Sequence, residues 1–231
     1  MSDFKPLWPN GPLYRGEGFG TDALALAAFA GERNFRRACD VGCGSGILLL
    51  LLAWQNPHAE VDGVELRPAA GELCRDNIVT NGLADRCRVT VDNAAHCAAP
   101  TAPYDLVVTN PPYFAGNGSA NTDRCAQRTE SISLIEWCTA AARLLKFGGD
   151  CCVVYPTARL PELMGALTAA SLEPKEMRLV AHSTTAAPSL VLCRARKGGK
   201  PGLSMRPTLF QTDEQGRETG EYRKICHWEA M

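Results

Sequence analysis

The chain has 231 residues, above the usual domain mode of ~100–150 residues yet within the reach of one α/β domain. Hydrophobic residues at 45% and charged residues at 21% lie close to the averages of soluble globular chains, which excludes a disordered, collagen-like or coiled-coil polypeptide. A net charge of −1 from 24 basic and 25 acidic residues excludes nucleic-acid binding through bulk charge and leaves room only for a local basic patch.

The longest unbroken apolar run, Ile47 to Trp54, is eight residues long, against the ~20 that a membrane-spanning helix needs. The opening segment carries Pro and Gly where a secretory signal requires an apolar stretch, so a cytoplasmic protein is expected. Eleven cysteines, an odd number scattered from Cys39 to Cys226 without a C-x-x-C spacing, read as reduced, packed thiols. His58, His96, His182 and His227 lie far apart, and no metal site is expected.

Strand-length apolar runs alternate with segments of helical period, the order of an α/β fold with a largely parallel sheet. Arg37 to Val41 is a strand that enters a glycine turn, and Ile47 to Trp54 is a buried helix closed by Asn56-Pro57. Glu60 to Leu66 is the second strand. Arg67-Pro68 opens a helix that stops at Asn81-Gly82, and Arg86 to Val91 is the third strand. The fourth, Tyr104 to Thr109, ends in Asn110-Pro111-Pro112-Tyr113, where two prolines end ladder donation. Ala115 to Arg128 reads as a surface loop and Ile132 to Leu145 as a helix ending at Gly148-Gly149. Cys151 to Tyr155, a helix from Arg159 to Ser171, and strands Met177 to Ala181 and Leu190 to Arg196 follow. Thr208–Gln211 and Glu221–Ile225 flank a turn and read as a hairpin.

The strongest spacing is Asp40-Val41-Gly42-Cys43-Gly44-Ser45-Gly46 between a strand and a helix, with Glu65 at the tip of the next strand. Glycines let a ligand approach the backbone, and an acid at the second strand tip can accept both ribose hydroxyl protons, so this is a nucleotide site. A dinucleotide fingerprint counted from Gly42 needs glycine where Ile47 stands, which disfavours a nicotinamide enzyme. The acidic-x-G-x-G-x-G form instead resembles the first motif of class I S-adenosylmethionine-dependent methyltransferases. In that family a carboxylate for the adenine amine stands where Asp92 is.

Asn110 to Tyr113 sits at the carboxyl end of a strand, where open α/β sheets bind ligands. An amide or exocyclic amino nitrogen is a poor nucleophile because its lone pair is delocalised. A site must hold its N–H hydrogens with acceptors, for which the Asn110 side-chain oxygen and the Pro111 carbonyl are placed, and prolines keep them rigid. Tyr113, with Phe114 beside it, offers a face for a planar group.

Gly20-Thr21-Asp22, Asp40 to Gly46, Val64-Glu65-Leu66, Asp92 and Asn110 to Tyr113 together resemble the bacterial valine-tRNA adenine-N6-methyltransferase family, over most of residues 18 to 195. The resemblance implies a Rossmann-like, mostly parallel seven-stranded sheet with helices on both faces. It implies a single domain over residues 1–231, with extensions at 1–20 and 201–231. S-adenosylmethionine is the implied cofactor, held by Thr21, Asp40, Gly42, Gly44, Gly46, Glu65, Asp92 and Asn110. Asn110, Pro111, Pro112 and Tyr113 are the implied catalytic residues, and an RNA, with tRNA foremost, is the implied partner.

Asn-Pro-Pro-Tyr is shared with enzymes that methylate a glutamine side chain of release factors, so that acceptor stands as the alternative, disfavoured by the lack of an N-terminal recognition domain. A non-catalytic S-adenosylmethionine- or RNA-binding module is the other, disfavoured by the intact acceptor tetrapeptide. Arg194, Arg196, Lys197, Lys200 and Arg206, with Arg124 and Arg128, read equally as RNA contacts or as a solvated turn. Arg33, Arg36 and Arg37 read as a solvated edge.

Overall fold

The computed structural model describes residues 4–16, 18–98, 100–112 and 133–227. A short hairpin, β1 (Lys5–Pro6) and β2 (Leu13–Tyr14), precedes helix α1 (Thr21–Gly31). The main sheet then starts with β3 (Arg37–Val41), β4 (Glu60–Glu65), β5 (Cys87–Val91) and β6 (Tyr104–Thr109). It continues with β7 (Leu145–Pro156), β8 (Leu172–Ser183), β9 (Leu190–Lys197) and β10 (Ser204–Thr212). The helices that connect and flank these strands are α2 (Ile47–Gln55), α3 (Pro68–Thr80), α4 (Leu134–Leu144), α5 (Leu160–Ala169) and α6 (Gly220–His227).

The strand order is β10-β8-β9-β7-β6-β3-β4-β5. All neighbours run parallel except β9, which is antiparallel to both β7 and β8. The chain moves outward from β3 to β5 on one side and from β6 onward on the other. The order therefore reverses beside β3, and the carboxyl ends of β3 and β6 open a crevice there.

Side chains on each strand alternate between two cores. On β6, Leu106 and Val108 join the core that includes Leu26 and Phe29 of α1 and Leu49 to Leu52 of α2. Val107 joins the opposite core with Trp137 and Leu144 of α4 and Leu163 and Leu167 of α5. Helix α2 is apolar all round because six of its nine residues are buried. Helix α4 starts at a reciprocal cap in which Ser133 Oγ accepts from the Glu136 amide and the Glu136 carboxylate accepts from the Ser133 amide.

The structure corrects several sequence expectations. The sheet has eight strands rather than seven, because β10 adds to the outer edge of β8. Pro207 lies where that pairing shifts register, and a proline is tolerated in a strand only at such an edge. Glu221–Ile225 is not a hairpin strand but part of α6. Tyr222, Ile225 and Cys226 recur at helical spacing, and Thr219 Oγ1 accepts from the Tyr222 amide at 3.1 Å to cap the first turn. Gly148-Gly149 does not end a helix; strand β7 begins directly at Leu145, and the glycines lie where its register against β6 shifts between Leu145 and Asp150. The strand expected over Met177–Ala181 extends to Leu172–Ser183. Helix α1 has no counterpart among the sequence-predicted elements, since its buried Ala23, Ala25, Leu26, Ala27, Phe29 and Ala30 cover too much of its circumference to leave a clear stripe. The Ala115 to Arg128 loop lies outside the described residues.

Candidate active site

The glycine turn leaves β3 at Gly42, whose amide donates to Val64 O of β4 at 2.8 Å. Gly42 has φ +76°, and a Cβ there would run into the Trp137 ring of α4, so both backbone conformation and packing demand glycine. Gly44 has φ +54° and open space within 4 Å of where a Cβ would stand, so a ligand can come directly against its backbone. Its amide donates to Glu65 Oε2 at 2.8 Å. The other Glu65 oxygen accepts from the Arg67 amide at 3.0 Å and from Arg67 Nε at 3.1 Å. This buried carboxylate at the tip of β4 is thus fixed beside the turn.

Asp40 lies directly beneath, 1% exposed, and neither carboxyl oxygen has a well-formed hydrogen bond. Burial, and secondarily the charge of Glu65, push its pKa up to about 8; the Leu49 backbone amide offsets this only in part.

Asn110 and Pro111 leave β6 next to this turn. Asn110 Nδ2 donates to Asp22 Oδ2 at 2.8 Å, and Asp22 Oδ1 accepts from the Ala23 amide at 2.9 Å. Asp22, Asn110, Cys43, Gly44, Ser45 and Arg67 line one cavity of about 570 Å³, of the size that holds a small-molecule cofactor. Pro111 is buried and Pro112 exposed.

The N-terminal segment closes over the same turn. Asn77 of α3, 0% exposed, donates to Ser45 O and Arg15 O, each at 2.8 Å, and accepts from the Arg15 amide at 2.9 Å. The Tyr14 hydroxyl meets Ser45 Oγ at 2.5 Å. Sequence reasoning assigned no role to Asn77, Tyr14 or Ser45, because each acts through a contact more than thirty positions away. Asp22 was visible as part of Gly20-Thr21-Asp22, but its partner was not.

Not every expected residue converges. Thr21 does not line the cavity; its Oγ1 lies 2.8 Å from the Tyr222 hydroxyl of α6. Asp92, by contrast, stands beside Glu65, its amide donating to Glu65 O at 2.9 Å, with its exposed carboxylate accepting from the Asn93 amide at 2.7 Å. Tyr113, Phe114, Arg124 and Arg128 lie outside the described residues. Among the described residues, no group of three His, Cys, Asp or Glu side chains gathers as a metal site would require.

The basic cluster is mixed: Arg194, Arg196 and Arg206 meet acids from other elements, Lys197 meets a backbone carbonyl, and Lys200 is exposed. Arg194 is 1% exposed, its guanidinium stacked 4.9 Å from the Phe29 ring centroid and paired with Glu176 at 3.4 Å and Asp150 at 3.8 Å. Arg196 pairs with Asp150 at 2.8 Å, Lys197 Nζ donates to Leu145 O at 2.7 Å, and Arg206 pairs with Glu32 and Glu176. Arg33, expected on a solvated edge, joins the same network through Glu176 at 2.9 Å. A linear stretch of positive charge reads as a patch only if its acids are out of sight; here they arrive from other elements.

Residues 18–168 match the model of the methyltransferase small domain. A tRNA1(Val) (adenine(37)-N6)-methyltransferase of Dickeya chrysanthemi is 32% identical over 89% of this chain and 85% of its own length. One of the same description from Aeromonas hydrophila is 37% identical over 63% of this chain and 62% of its own length. Among solved structures, a predicted O-methyltransferase of Agrobacterium tumefaciens shares the fold, with TM-score 0.72, 20% identity and coverage of 90% of this chain and 97% of that one. Geranyl diphosphate C-methyltransferase of Streptomyces coelicolor, solved with S-adenosyl-L-homocysteine, aligns with TM-score 0.56 at 15% identity over 75% of this chain and 77% of that one.

Proposed function

Because the chain belongs to the methyltransferase small domain family and is an S-adenosylmethionine-dependent adenine-N6 methyltransferase, we propose that its acceptor is adenine 37 of a valine tRNA, the substrate named for its relatives. The observation that carries the reading is the meeting of Asn110 with the glycine turn in one cavity.

The residues present fit the cofactor. A buried carboxyl without a well-formed hydrogen bond, Asp40, lies under the turn and suits a cationic ligand. Open backbone at Gly44 accommodates close approach, and the Glu65 carboxylate held beside it by the Gly44 amide supports its role as acceptor of the ribose hydroxyl protons. Arg67 holds that carboxylate in place, and Asp92 is left for the adenine end. When bound, the cofactor supplies a methyl group on a positively charged sulfur, and the acceptor nitrogen displaces that sulfur as a neutral thioether.

Asn110 Oδ1 and the Pro111 carbonyl accept the two N–H hydrogens of the adenine amine. They turn its nitrogen lone pair out of conjugation and toward the methyl group, and positioning of this kind supplies much of the rate. The amine becomes acidic only as the new N–C bond forms, so its proton leaves to water without a dedicated base. Tyr113 supplies the stacking face for the base. The enzyme acts as a single domain in the cytoplasm, on tRNA.

The test is incubation with radiolabelled S-adenosylmethionine and, separately, total tRNA and total protein from cells lacking the enzyme, followed by digestion of the RNA to nucleosides. Label in N6-methyladenosine of valine tRNA is expected, and Asn110→Ala should abolish it while cofactor binding persists. Label confined to protein glutamine would overturn the assignment.

A further inference from the structure

Asparagine carries a donor and an acceptor on one planar group, and only the acceptor serves the amine. Something must therefore decide which way the Asn110 amide faces. Asn110 Nδ2 donates to Asp22 Oδ2 at 2.8 Å, and a carboxylate can only accept. The bond therefore commits the amide: nitrogen toward Asp22, Oδ1 on the opposite side.

Asp22 is itself held. It lies in the first turn of α1, and its other oxygen accepts from the Ala23 amide at 2.9 Å. Gly20 leaves room for it, since a Cβ at that position would lie 2.8 Å from Asp22 Oδ1. The helix amino terminus favours a negative charge at this spot. A charge-assisted bond to Nδ2 also draws electron density toward Oδ1 and strengthens it as an acceptor, most of all when the amine nitrogen is gaining positive charge.

We propose that Asp22 is a positioning residue for methyl transfer, fixing the rotamer and polarising the amide of Asn110 so that Oδ1 receives the acceptor amine. The inference rests on the reading of Asn110 as an acceptor of the amine hydrogens. Asp22 touches neither the reacting nitrogen nor the methyl group in this role.

Two measurements test it. In ¹⁵N-labelled protein, the Asn110 side-chain NH₂ signals, identified by their absence in Asn110→Ala, should include one proton shifted downfield and slow to exchange. That signature should disappear in Asp22→Ala. In single-turnover transfer to tRNA at saturating cofactor, Asp22→Ala should slow the step about 10- to 100-fold. Asp22→Asn, which keeps an acceptor for Nδ2 without the charge, should recover part of the rate.

An unchanged NH₂ signature or a wild-type single-turnover rate in folded Asp22→Ala overturns the proposal, as does a loss confined to cofactor affinity. Failure of the adenine reading is distinct. Wild-type enzyme would then label protein instead of tRNA, and the NH₂ measurement, which needs no substrate, would still decide the role of Asp22.

Discussion

Thr21 Oγ1 and the Tyr222 hydroxyl lie 2.8 Å apart, joining the first residue of α1 to α6 across 201 positions of the chain. The C-terminal helix thereby braces the turn that carries Asp22. Burial pushes the Tyr222 phenol up to about 12, so it stays protonated through the working range. Tyr222→Phe and Thr21→Val should each lower unfolding stability by about 1 kcal/mol, and the double variant by little more than either, because one bond is lost in all three. Urea denaturation gives these values. If Thr21→Val leaves stability intact and weakens cofactor binding instead, its hydroxyl serves the cofactor.

Asp40 makes the apoprotein sensitive to pH. Its folded pKa of about 8 lies above the 3.8 of an aspartate in water, so between these values the folded state binds more protons than the unfolded one. Stability should therefore decline as pH rises from about 4 to 8, and Asp40→Asn should remove that component. Cofactor binding brings positive charge toward the carboxyl and favours its ionised form. Affinity should then rise with pH up to about 8, with proton release on binding detectable by calorimetry in buffers of different ionisation enthalpy.

The two outer roles of the glycine turn separate by mutation. Gly42→Ala places a methyl group against Trp137 at positive φ and should cost about 2–3 kcal/mol of stability. Gly44→Ala meets open space, so it should lose only about 1–2 kcal/mol for the left-handed backbone while cofactor affinity falls by an order of magnitude or more. Thermal melts with and without S-adenosylhomocysteine distinguish them: Gly42→Ala melts early in both, and Gly44→Ala loses chiefly the ligand-induced rise.

The Arg194 network should govern folding and leave RNA binding alone. Arg194→Ala leaves Glu176 and Asp150 with one cation fewer in a buried setting and should destabilise the protein by about 3 kcal/mol. The salt dependence of tRNA binding should keep its slope, whereas loss of a phosphate contact would reduce it by about one unit. Filter binding over a series of salt concentrations reads the slope directly.

What was legible in the chain was what depends on neighbours in sequence. The strand-turn-helix period around Gly42 to Gly46, the acid at Glu65, and the proline-bounded end of β6 all follow from local patterning and turn chemistry. Together they sufficed for the α/β class and, through the family they resemble, for the cofactor.

What depends on distant partners was decided only by folding. Asp22 meets Asn110 because α1 begins where β6 ends, and Thr21 faces α6 instead of the cavity because the last helix folds back onto the first. Arg194, Arg196 and Arg206 are neutralised once Glu32, Asp150 and Glu176 are brought against them. The eighth strand was legible only in part: Thr208–Gln211 reads as a strand, but its extension back through Pro207 to Ser204 and its place beside β8 are set by pairing with that distant strand. Sequence spacing can show which side chains are available, but hydrogen bonds and ion pairs are short-ranged, and only the sheet order determines which of them come within reach.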